Sequence, residues 1–393
     1  MATRWPRPVA HLTEWRSAAA PIAAIAVFGL AISMSYPLLG LLLERMGASG
    51  TAIGLNTTAA ALAIVVCAPI LPRVMAHIGI GPLIVGAALG LVGIVLAMAA
   101  WHDYGWWTGL RVLQGVCATA LFFASEYWIV AAAPEGRRGP RVALYTVSLS
   151  VTFMLGPVLI AATGIDGALP FLVMAGVLLA GLLPILWGLD TAPRAGAEAP
   201  PRPGATLKFF VTDPSVLWAV VLFGFIEFGA TGLLPVWGVR AGLTEAEGAL
   251  VLASFAAGAV VTSLPIGWIA DRADRRRLLL VAALVAAAAA LAMIAMAPWL
   301  PGILLCGLLW GGVAVALYAL PLVELGARYS GHRLAEANAA VILGYGTGAL
   351  LAPAVLGPAM DAVPPHGLLI AAAVPALAYA ALALARLRAA PRA

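Results

Sequence analysis

Long apolar runs alternate with short polar segments along the whole chain, and the length of the runs predicts membrane-spanning helices. A helix of about 20 apolar residues crosses the roughly 30 Å hydrocarbon core of a bilayer. The runs are rich in Ala, Leu, Val and Gly and lack strict two-residue alternation, which favours helices over a β-barrel. The pattern predicts twelve spans, over residues 20–43, 51–72, 79–101, 106–132, 142–163, 168–189, 215–238, 246–269, 278–298, 300–325, 336–360 and 367–385.

Basic residues predict how these spans are oriented. If the N-terminus is cytoplasmic, 19 of the 22 Lys and Arg residues fall in cytoplasmic segments, two (Arg45 and Arg240) fall on the opposite face, and Arg111 lies within a span. An excess of Lys and Arg on the cytoplasmic side is typical of membrane proteins. Both termini are therefore predicted to be cytoplasmic, and the net charge of +5 needs no nucleic-acid partner.

The composition excludes several classes of protein. The 393 residues are 63% hydrophobic and 10% charged, against roughly 45–50% and about 25% in soluble domains. A cytosolic enzyme, a secreted module and a disordered chain are thereby excluded. The three cysteines lie singly in apolar runs. No phosphate-binding glycine loop, zinc motif or catalytic-triad pattern occurs in the sequence, so we predict no cofactor, no metal and no enzyme activity.

A polar segment divides the predicted spans into two groups of six. Residues 190–214 are rich in proline and lack apolar periodicity, and we interpret them as a cytoplasmic linker between an N-terminal bundle (1–189) and a C-terminal bundle (215–393). A shift of 196 residues superimposes Gly115 on Gly311 and Pro157 on Pro353, which indicates two six-helix pseudo-repeats. Such a duplication puts a transported substrate near the bilayer midplane between the repeats. The alternative is two bundles that merely pack together.

The segment after span 8 reads GWIADRADRRRL and carries a loop signature. It resembles the G-x-x-x-D-R-x-G-R-[RK] motif of the major facilitator superfamily, on Gly267, Asp271, Arg272, Arg275 and Arg276. The resemblance implies a cytoplasmic gate, in which a carboxylate at a helix end accepts hydrogen bonds from a neighbouring helix and pairs with arginines. Asp274 stands where the family has Gly. The alternative is that the basic residues only anchor the orientation of the chain.

Further motifs refine this resemblance. GLRVLQG at the start of span 4 is similar to the R-x-x-Q-G motif of proton-coupled members, on Arg111, Gln114 and Gly115. Gly156-Pro157 in span 5 is similar to the first part of the antiporter motif G-x-x-x-G-P-x-x-G-G, and ERMGASGTAIGLN, SEYW and LYALP resemble a poorly characterised bacterial branch. The resemblance covers essentially the whole chain. It implies a monomeric, proton-coupled secondary transporter of the bacterial inner membrane that works by alternating access.

Four charged residues lie inside predicted spans, where each costs on the order of 2.5–3.5 kcal/mol at the bilayer centre. They are Arg111, Glu126, Glu227 and Glu324, on spans 4, 4, 7 and 10. The resemblance implies that spans 1, 4, 7 and 10 line a central cavity. Glu227 lies about twelve residues from either end of span 7 and is the first choice for proton binding, helped by Arg111 or Glu126.

Each of these charges also has a structural alternative. Glu227 could bond a neighbouring helix without titrating, and Glu126 could bond a helix end. Arg111 could reach outward to the membrane interface. Glu324 is interpreted first as a surface pair with Arg328, four residues further along the helix.

Helical spacing predicts the rest of the cavity wall. The candidates are polar and aromatic residues of spans 1, 4, 7 and 10, namely Ser33, Tyr36, Gln114, Phe223, Glu227, Thr231, Trp310 and Tyr318. Aromatic rings with a few hydroxyls and carboxylates suit a flat or amphipathic organic solute. For each aromatic residue the alternative is plain helix packing. The glycines of span 11 are interpreted as small residues that let helices approach closely.

Together these patterns favour proton antiport, with export of a small organic solute that is cationic or aromatic. The first alternative is proton-coupled uptake of a nutrient or vitamin. The second is a non-transporting membrane receptor or scaffold derived from the same fold. The expected partners are the solute, protons and the lipid bilayer.

Overall fold

The computed structural model describes residues 8–67, 70–132, 138–194, 203–270 and 272–389. Within these ranges the regular elements are helices, apart from a short 3-10 turn at Leu189–Thr191, and there is no strand. The helices are α1 (Pro8–Arg45), α2 (Gly50–Cys67), α3 (Leu71–Ile78), α4 (Ile80–Ala100), α5 (Tyr104–Ala131), α6 (Arg138–Thr163), α7 (Leu169–Gly188), α8 (Pro203–Thr212), α9 (Pro214–Arg240), α10 (Glu245–Ala270), α11 (Arg275–Met296), α12 (Leu300–Arg328), α13 (Gly331–Ala362) and α14 (Gly367–Ala389).

Twelve of these helices are long and apolar enough to cross a membrane, which confirms the predicted all-α membrane architecture. They are α1, α2, α4 to α7 and α9 to α14. Helices α1 and α13 begin well before the predicted spans, because helical hydrogen bonding continues through polar residues that hydropathy does not register. The predicted orientation of the termini remains a prediction.

Two short helices were not predicted. The predicted second span, residues 51–72, extends past the end of α2 at Cys67, and the short helix α3 begins at Leu71. Helix α8 lies within the segment interpreted as a linker. Its Phe209 is buried with Val216 and Leu217 of the following helix, so tertiary packing stabilises α8 where the sequence lacks periodicity.

Side-chain caps explain where several helices begin. Asp103 precedes α5, and its carboxylate accepts a hydrogen bond from the Trp106 backbone N–H at 2.8 Å. Before α10, the Thr244 hydroxyl accepts from the Glu247 N–H at 3.2 Å, while the Glu247 carboxylate accepts from the Thr244 N–H at 2.8 Å. This reciprocal pair is a capping box, and it satisfies backbone donors that the first turn of a helix leaves free.

By their contacts, the described helices divide into two units. Unit 1 holds the described parts of Met1–Ser35, Ala63–Gly156 and Asp166–Glu198, and unit 2 holds those of Tyr36–Leu62, Pro157–Ile165 and Ala199–Ala393. In unit 1, α4 packs against α5 and α7; in unit 2, α9 packs against α10, α12, α13 and α14. The C-terminal end of α1 and most of α2 thus belong by contact to unit 2. The division into bundles 1–189 and 215–393 remains a prediction.

Glycines allow the helices of unit 2 to approach closely. A Cβ atom at Gly348 of α13 would overlap the Val221 carbonyl oxygen of α9, and one at Gly311 of α12 would overlap the Phe255 carbonyl oxygen of α10. Without water to drive association, helices in lipid gain most from such close van der Waals packing. The interpretation of the span 11 glycines as packing residues is confirmed.

We expect Gly348→Ala to lower the midpoint of thermal unfolding of the purified protein in detergent. The new methyl group would overlap the Val221 carbonyl oxygen and lie 2.7 Å from the Phe225 nitrogen, and overpacking of this kind costs about 1–3 kcal/mol. Gly326→Ala in α12 is the control, because its methyl group would meet no described atom within 4 Å. Equal midpoints for the two variants would contradict this account of the packing.

Candidate functional site

Glu227 lies on α9, which has the largest fraction of buried residues among the spans of unit 2. Its side chain is half-buried and accepts a hydrogen bond from the Tyr345 hydroxyl of α13 at 2.8 Å. The structural alternative from the sequence, a bond to a neighbouring helix, therefore describes a real contact. The same contact holds the carboxylate in one position, which a proton-binding role also requires.

Tyr345, which bonds this carboxylate, belongs to a cluster of three aromatic rings. Phe223 lies one helical turn before Glu227 on α9, Tyr318 lies on α12, and Tyr345 lies on α13. The ring centroids are 5.1 Å apart for Phe223 and Tyr318, 5.8 Å for Phe223 and Tyr345, and 6.4 Å for Tyr318 and Tyr345. All three residues are half-buried. We call Phe223, Glu227, Tyr318 and Tyr345 the Glu227 cluster.

The remaining predicted wall residues of unit 2 are buried in helix packing. Tyr36 is fully buried, and its ring meets that of Phe228 edge-on at 5.8 Å. The Thr231 hydroxyl donates to the Glu227 carbonyl oxygen at 2.7 Å. Trp310 packs edge-on against Phe255 at 5.4 Å. The alternative of plain packing describes the contacts of the two aromatic candidates, Tyr36 and Trp310, and a cavity role for all three residues stays a prediction.

In unit 1, Arg111 and Gln114 form a buried polar cluster with Ser35 of α1. Arg111 donates to the Ser35 carbonyl oxygen at 3.1 Å and to Gln114 Oε1 at 3.0 Å. Gln114 Nε2 donates to Ser35 Oγ at 2.6 Å. The alternative that Arg111 reaches outward to the interface is wrong, because its side chain is fully buried. We call these three residues the Arg111 cluster.

Ser33 and Glu126 lie outside this cluster. The Ser33 hydroxyl is buried and donates to the Thr152 carbonyl oxygen of α6 at 2.9 Å. The Glu126 side chain is exposed on α5. Across the described parts of the chain it makes no hydrogen bond or ion pair, and no bond from it to a described helix end is present.

The predicted gate residues are only partly brought together. Asp271 lies outside the described residues. Gly267 is exposed on α10, the Arg272 guanidinium lies 4.2 Å from the Trp268 ring centroid, and Arg275 donates to Glu324 at 3.3 Å. Glu324 also pairs with Arg328, which confirms the pair expected from the four-residue spacing.

The departure from the family motif at residue 274 has a structural role. Asp274 directly precedes α11, and its carboxylate accepts a hydrogen bond from the Arg276 backbone N–H at 2.9 Å. An aspartate at this position accepts from one of the free backbone N–H donors of the first turn. Its negative charge also interacts favourably with the positive end of the helix dipole.

Sequence reasoning missed a charged network at the opposite end of unit 2. Arg240, at the end of α9, donates to both carboxylate oxygens of Glu44 at 2.8 Å and to Asp361 of α13 at 3.1 Å. Asp361 also accepts from the backbone N–H groups of Gly50 and Thr51 at 2.7 and 2.8 Å. We call Glu44, Arg240, Asp361 and the start of α2 the Asp361 network. The sequence gives one indication of this network. Arg240 is predicted on the face opposite the cytoplasm, whereas nearly all other basic residues are predicted on the cytoplasmic face.

The chain belongs to the Major Facilitator Superfamily. The sequence model of that family matches residues 22–332 and 241–393, and together these ranges cover nearly the whole chain. The family membership confirms the resemblance drawn from the loop signature, and with the twelve helices it makes this protein a multi-pass membrane transporter.

Relatives and solved structures agree with this assignment. An uncharacterised MFS-type transporter of Bacillus subtilis, YfkF, is 24% identical over 267 residues, which span 65% of this chain and 66% of that relative. YcaD of Escherichia coli is 24% identical over 268 residues, 68% of this chain and 67% of that protein. The crystal structure of the nucleoside transporter NupG matches with a TM-score of 0.76 at 10% identity, over 96% of this chain and 100% of that one.

A second solved structure supports the same fold. A bacterial homologue of the human lysosomal transporter Spinster, in an inward-facing and occupied conformation, matches with a TM-score of 0.74 at 15% identity. The match covers 98% of each chain. At these identities the structural likeness establishes the fold alone.

We expect Ser35→Ala to destabilise the protein more than Ser33→Ala. Removing the Ser35 hydroxyl leaves the Gln114 amide and one Arg111 N–H without this acceptor, and an unsatisfied buried donor costs about 1–3 kcal/mol. Ser33→Ala removes one donor to a carbonyl oxygen, for about 1 kcal/mol. Thermal unfolding of both variants in detergent measures the difference, and a larger loss for Ser33→Ala would contradict the assigned bonds.

Proposed function

We propose that this protein exports a small organic solute across the bacterial inner membrane, in exchange for protons, as a monomer that works by alternating access. The observation that carries the proposal is the Glu227 cluster, in which a carboxylate in the middle of a long apolar helix bonds a tyrosine whose ring packs with two further aromatic rings. The function requires that this carboxylate gain and lose a proton during the transport cycle.

Proton binding follows from the surroundings of Glu227. The helix α9 is apolar along most of its length, and an ionised carboxylate in hydrocarbon is costly. A carboxyl group in an apolar environment can change its protonation state near neutral pH. The Tyr345 hydroxyl can donate to the ionised form and can accept from the protonated form, so it supports both states.

The substrate class follows from the aromatic rings. The faces of Phe223, Tyr318 and Tyr345 carry partial negative charge and favour a flat organic cation beside the Glu227 carboxylate. A single carboxylate can neutralise either a proton or a cationic solute at one time. Mutually exclusive binding of the two is the physical basis of antiport.

The Arg111 cluster and Glu126 take supporting roles in this proposal. Arg111 is a permanent positive charge that its bonds to Ser35 and Gln114 hold in a buried position. Glu126 is an exposed carboxylate on the same helix, α5, and it is free of a described partner. We assign to Glu126 the role of passing protons. To Arg111 we assign the role of a fixed positive charge within unit 1.

The Asp361 network acts as one of two gates. A bidentate arginine–carboxylate pair and a carboxylate on a helix N-terminus are strong, directional contacts that can form in one state and break in another. The loop signature around Arg272, Arg275 and Arg276, with Asp271, supplies the second gate at the predicted cytoplasmic end. Alternating access requires that the two gates are not open together.

Proton-coupled uptake of a nutrient or vitamin is the second candidate function. The same carboxylate would then bind a proton together with the solute, and uncharged aromatic compounds such as nucleosides would fit the rings by stacking. The direction of the pH gradient distinguishes uptake from export. In symport the solute moves in the same direction as the protons, and in antiport it moves in the opposite direction. A non-transporting receptor or scaffold predicts instead that Glu227→Gln retains full function.

We expect Glu227→Gln to abolish pH-driven accumulation of solute in proteoliposomes, because an amide cannot take up and release a proton in this range. The assay imposes a pH gradient and screens planar organic cations, nucleosides and aromatic anions. Exchange of a labelled cationic solute without a gradient should also weaken in the variant, because the amide is uncharged like the protonated carboxyl group, which excludes the cation. Glu245→Gln, which changes a partly exposed carboxylate paired with Arg45, is the matched control and should leave coupling intact. Wild-type transport that ignores the gradient, or coupling retained in Glu227→Gln, would refute the proposal.

We expect Arg240→Gln to open the end of unit 2 that holds the Asp361 network. In a background without native cysteines, Thr57→Cys places a thiol at a buried position of α2. The rate of its reaction with a membrane-impermeant reagent should rise about tenfold in Arg240→Gln, which corresponds to about 1.4 kcal/mol. Glu245→Gln is again the control, because exposed pairs contribute little. An unchanged rate in Arg240→Gln would contradict the gate.

A further inference from the structure

A cavity of about 260 Å³ lies at the end of unit 2 where α9 and α11 begin and where α12 and α14 end. Its charged lining residues are four arginines and two carboxylates, namely Asp213, Arg275, Arg276, Glu324, Arg328 and Arg386. We call it the α9–α11 cavity. Two of these arginines, Arg275 and Arg276, also belong to the loop signature assigned above to the second gate, and no ligand has so far been assigned to the cavity.

The two carboxylates of the cavity are already neutralised. Asp213 accepts a hydrogen bond from Arg328 at 2.6 Å and another from the Tyr329 hydroxyl at 2.7 Å. The bond between Tyr329 and the Asp213 carboxylate raises the pKa of Tyr329 above its ordinary value. Glu324 accepts from Arg275 at 3.3 Å and also pairs with Arg328. The acidic groups therefore have no free capacity to balance the two remaining arginines.

Positive charge in the cavity is left unbalanced. Arg276 and Arg386 form no ion pair with any described residue, and the buried Nε–H of Arg275 has no acceptor in the described part of the chain. The helices α9 and α11 both begin at the cavity, so the positive ends of two helix dipoles face the same volume. An anion with several oxygen atoms would satisfy these donors.

We propose that the α9–α11 cavity binds the phosphate of an anionic phospholipid headgroup. The cavity lies at the end of membrane-spanning helices, and basic pockets between helices on the predicted cytoplasmic side suit such headgroups. The preceding helix α8 exposes an apolar stripe, with Leu207 59% exposed and Val211, four residues further, 79% exposed. Trp218, in the second turn of α9, is also exposed. These apolar groups fit acyl chains and distinguish a lipid from a soluble phosphate.

The test measures lipid retention by native mass spectrometry of the purified full-length protein. The protein is incubated with equal amounts of phosphatidylglycerol and phosphatidylethanolamine in detergent. We expect preferential retention of phosphatidylglycerol, and about fivefold weaker retention for each of Arg276→Gln and Arg386→Gln. Arg388→Gln is the matched control, because it removes the same charge from an exposed position on α14 that does not line the cavity. Arg276→Lys keeps the charge and should retain most of the binding.

Three outcomes would overturn the proposal. One is equal retention of the two lipids by the wild-type protein. Another is a loss in Arg388→Gln as large as that in Arg386→Gln, which would indicate a general surface charge effect. The third concerns inorganic phosphate added without lipid. If phosphate raises the midpoint of thermal unfolding of the wild-type protein but not of Arg276→Gln and Arg386→Gln, and no lipid is preferred, the cavity binds a soluble anion.

Discussion

The cost of a polar group in hydrocarbon is the constraint on which this structure depends. A buried charge must find a partner within the protein, because the bilayer offers none. Arg111 meets this requirement through Gln114 and Ser35, and Glu227 meets it through Tyr345. Each of these charges is thereby fixed in position by one neighbouring helix. The contact that satisfies each charged group therefore also holds that group in a fixed position.

The ends of the helices follow a different rule. There the backbone N–H groups are free, water is near, and arginines and carboxylates can form networks that exchange partners. Asp361 accepts from the start of α2 and pairs with Arg240, while Asp274 caps α11 and Asp213 pairs with Arg328. Charges at the helix ends therefore suit gating and lipid contact, and the single carboxylate in the middle of α9 suits ion coupling.

Close packing connects the two kinds of region. Glycines let α9 approach α13 and let α10 approach α12 closely. Gly348 lies one turn from Tyr345, whose hydroxyl bonds Glu227. That carboxylate is therefore bonded within a closely packed helix pair, and the Asp361 network lies at the far end of the same pair.

The sequence by itself determined the twelve long apolar helices, the family and the position of Glu227 inside an apolar run, because length, hydropathy and a charge inside an apolar run are local properties. The pair of Glu324 with Arg328 was also predictable, since four residues bring side chains together on any helix. Only the tertiary structure decided that Tyr36 and Trp310 pack in the interior, that α8 forms around Phe209, and that Glu44, Arg240 and Asp361 meet. These contacts join residues far apart in the chain, and helical periodicity in an apolar sequence does not distinguish a face that meets protein from one that meets lipid.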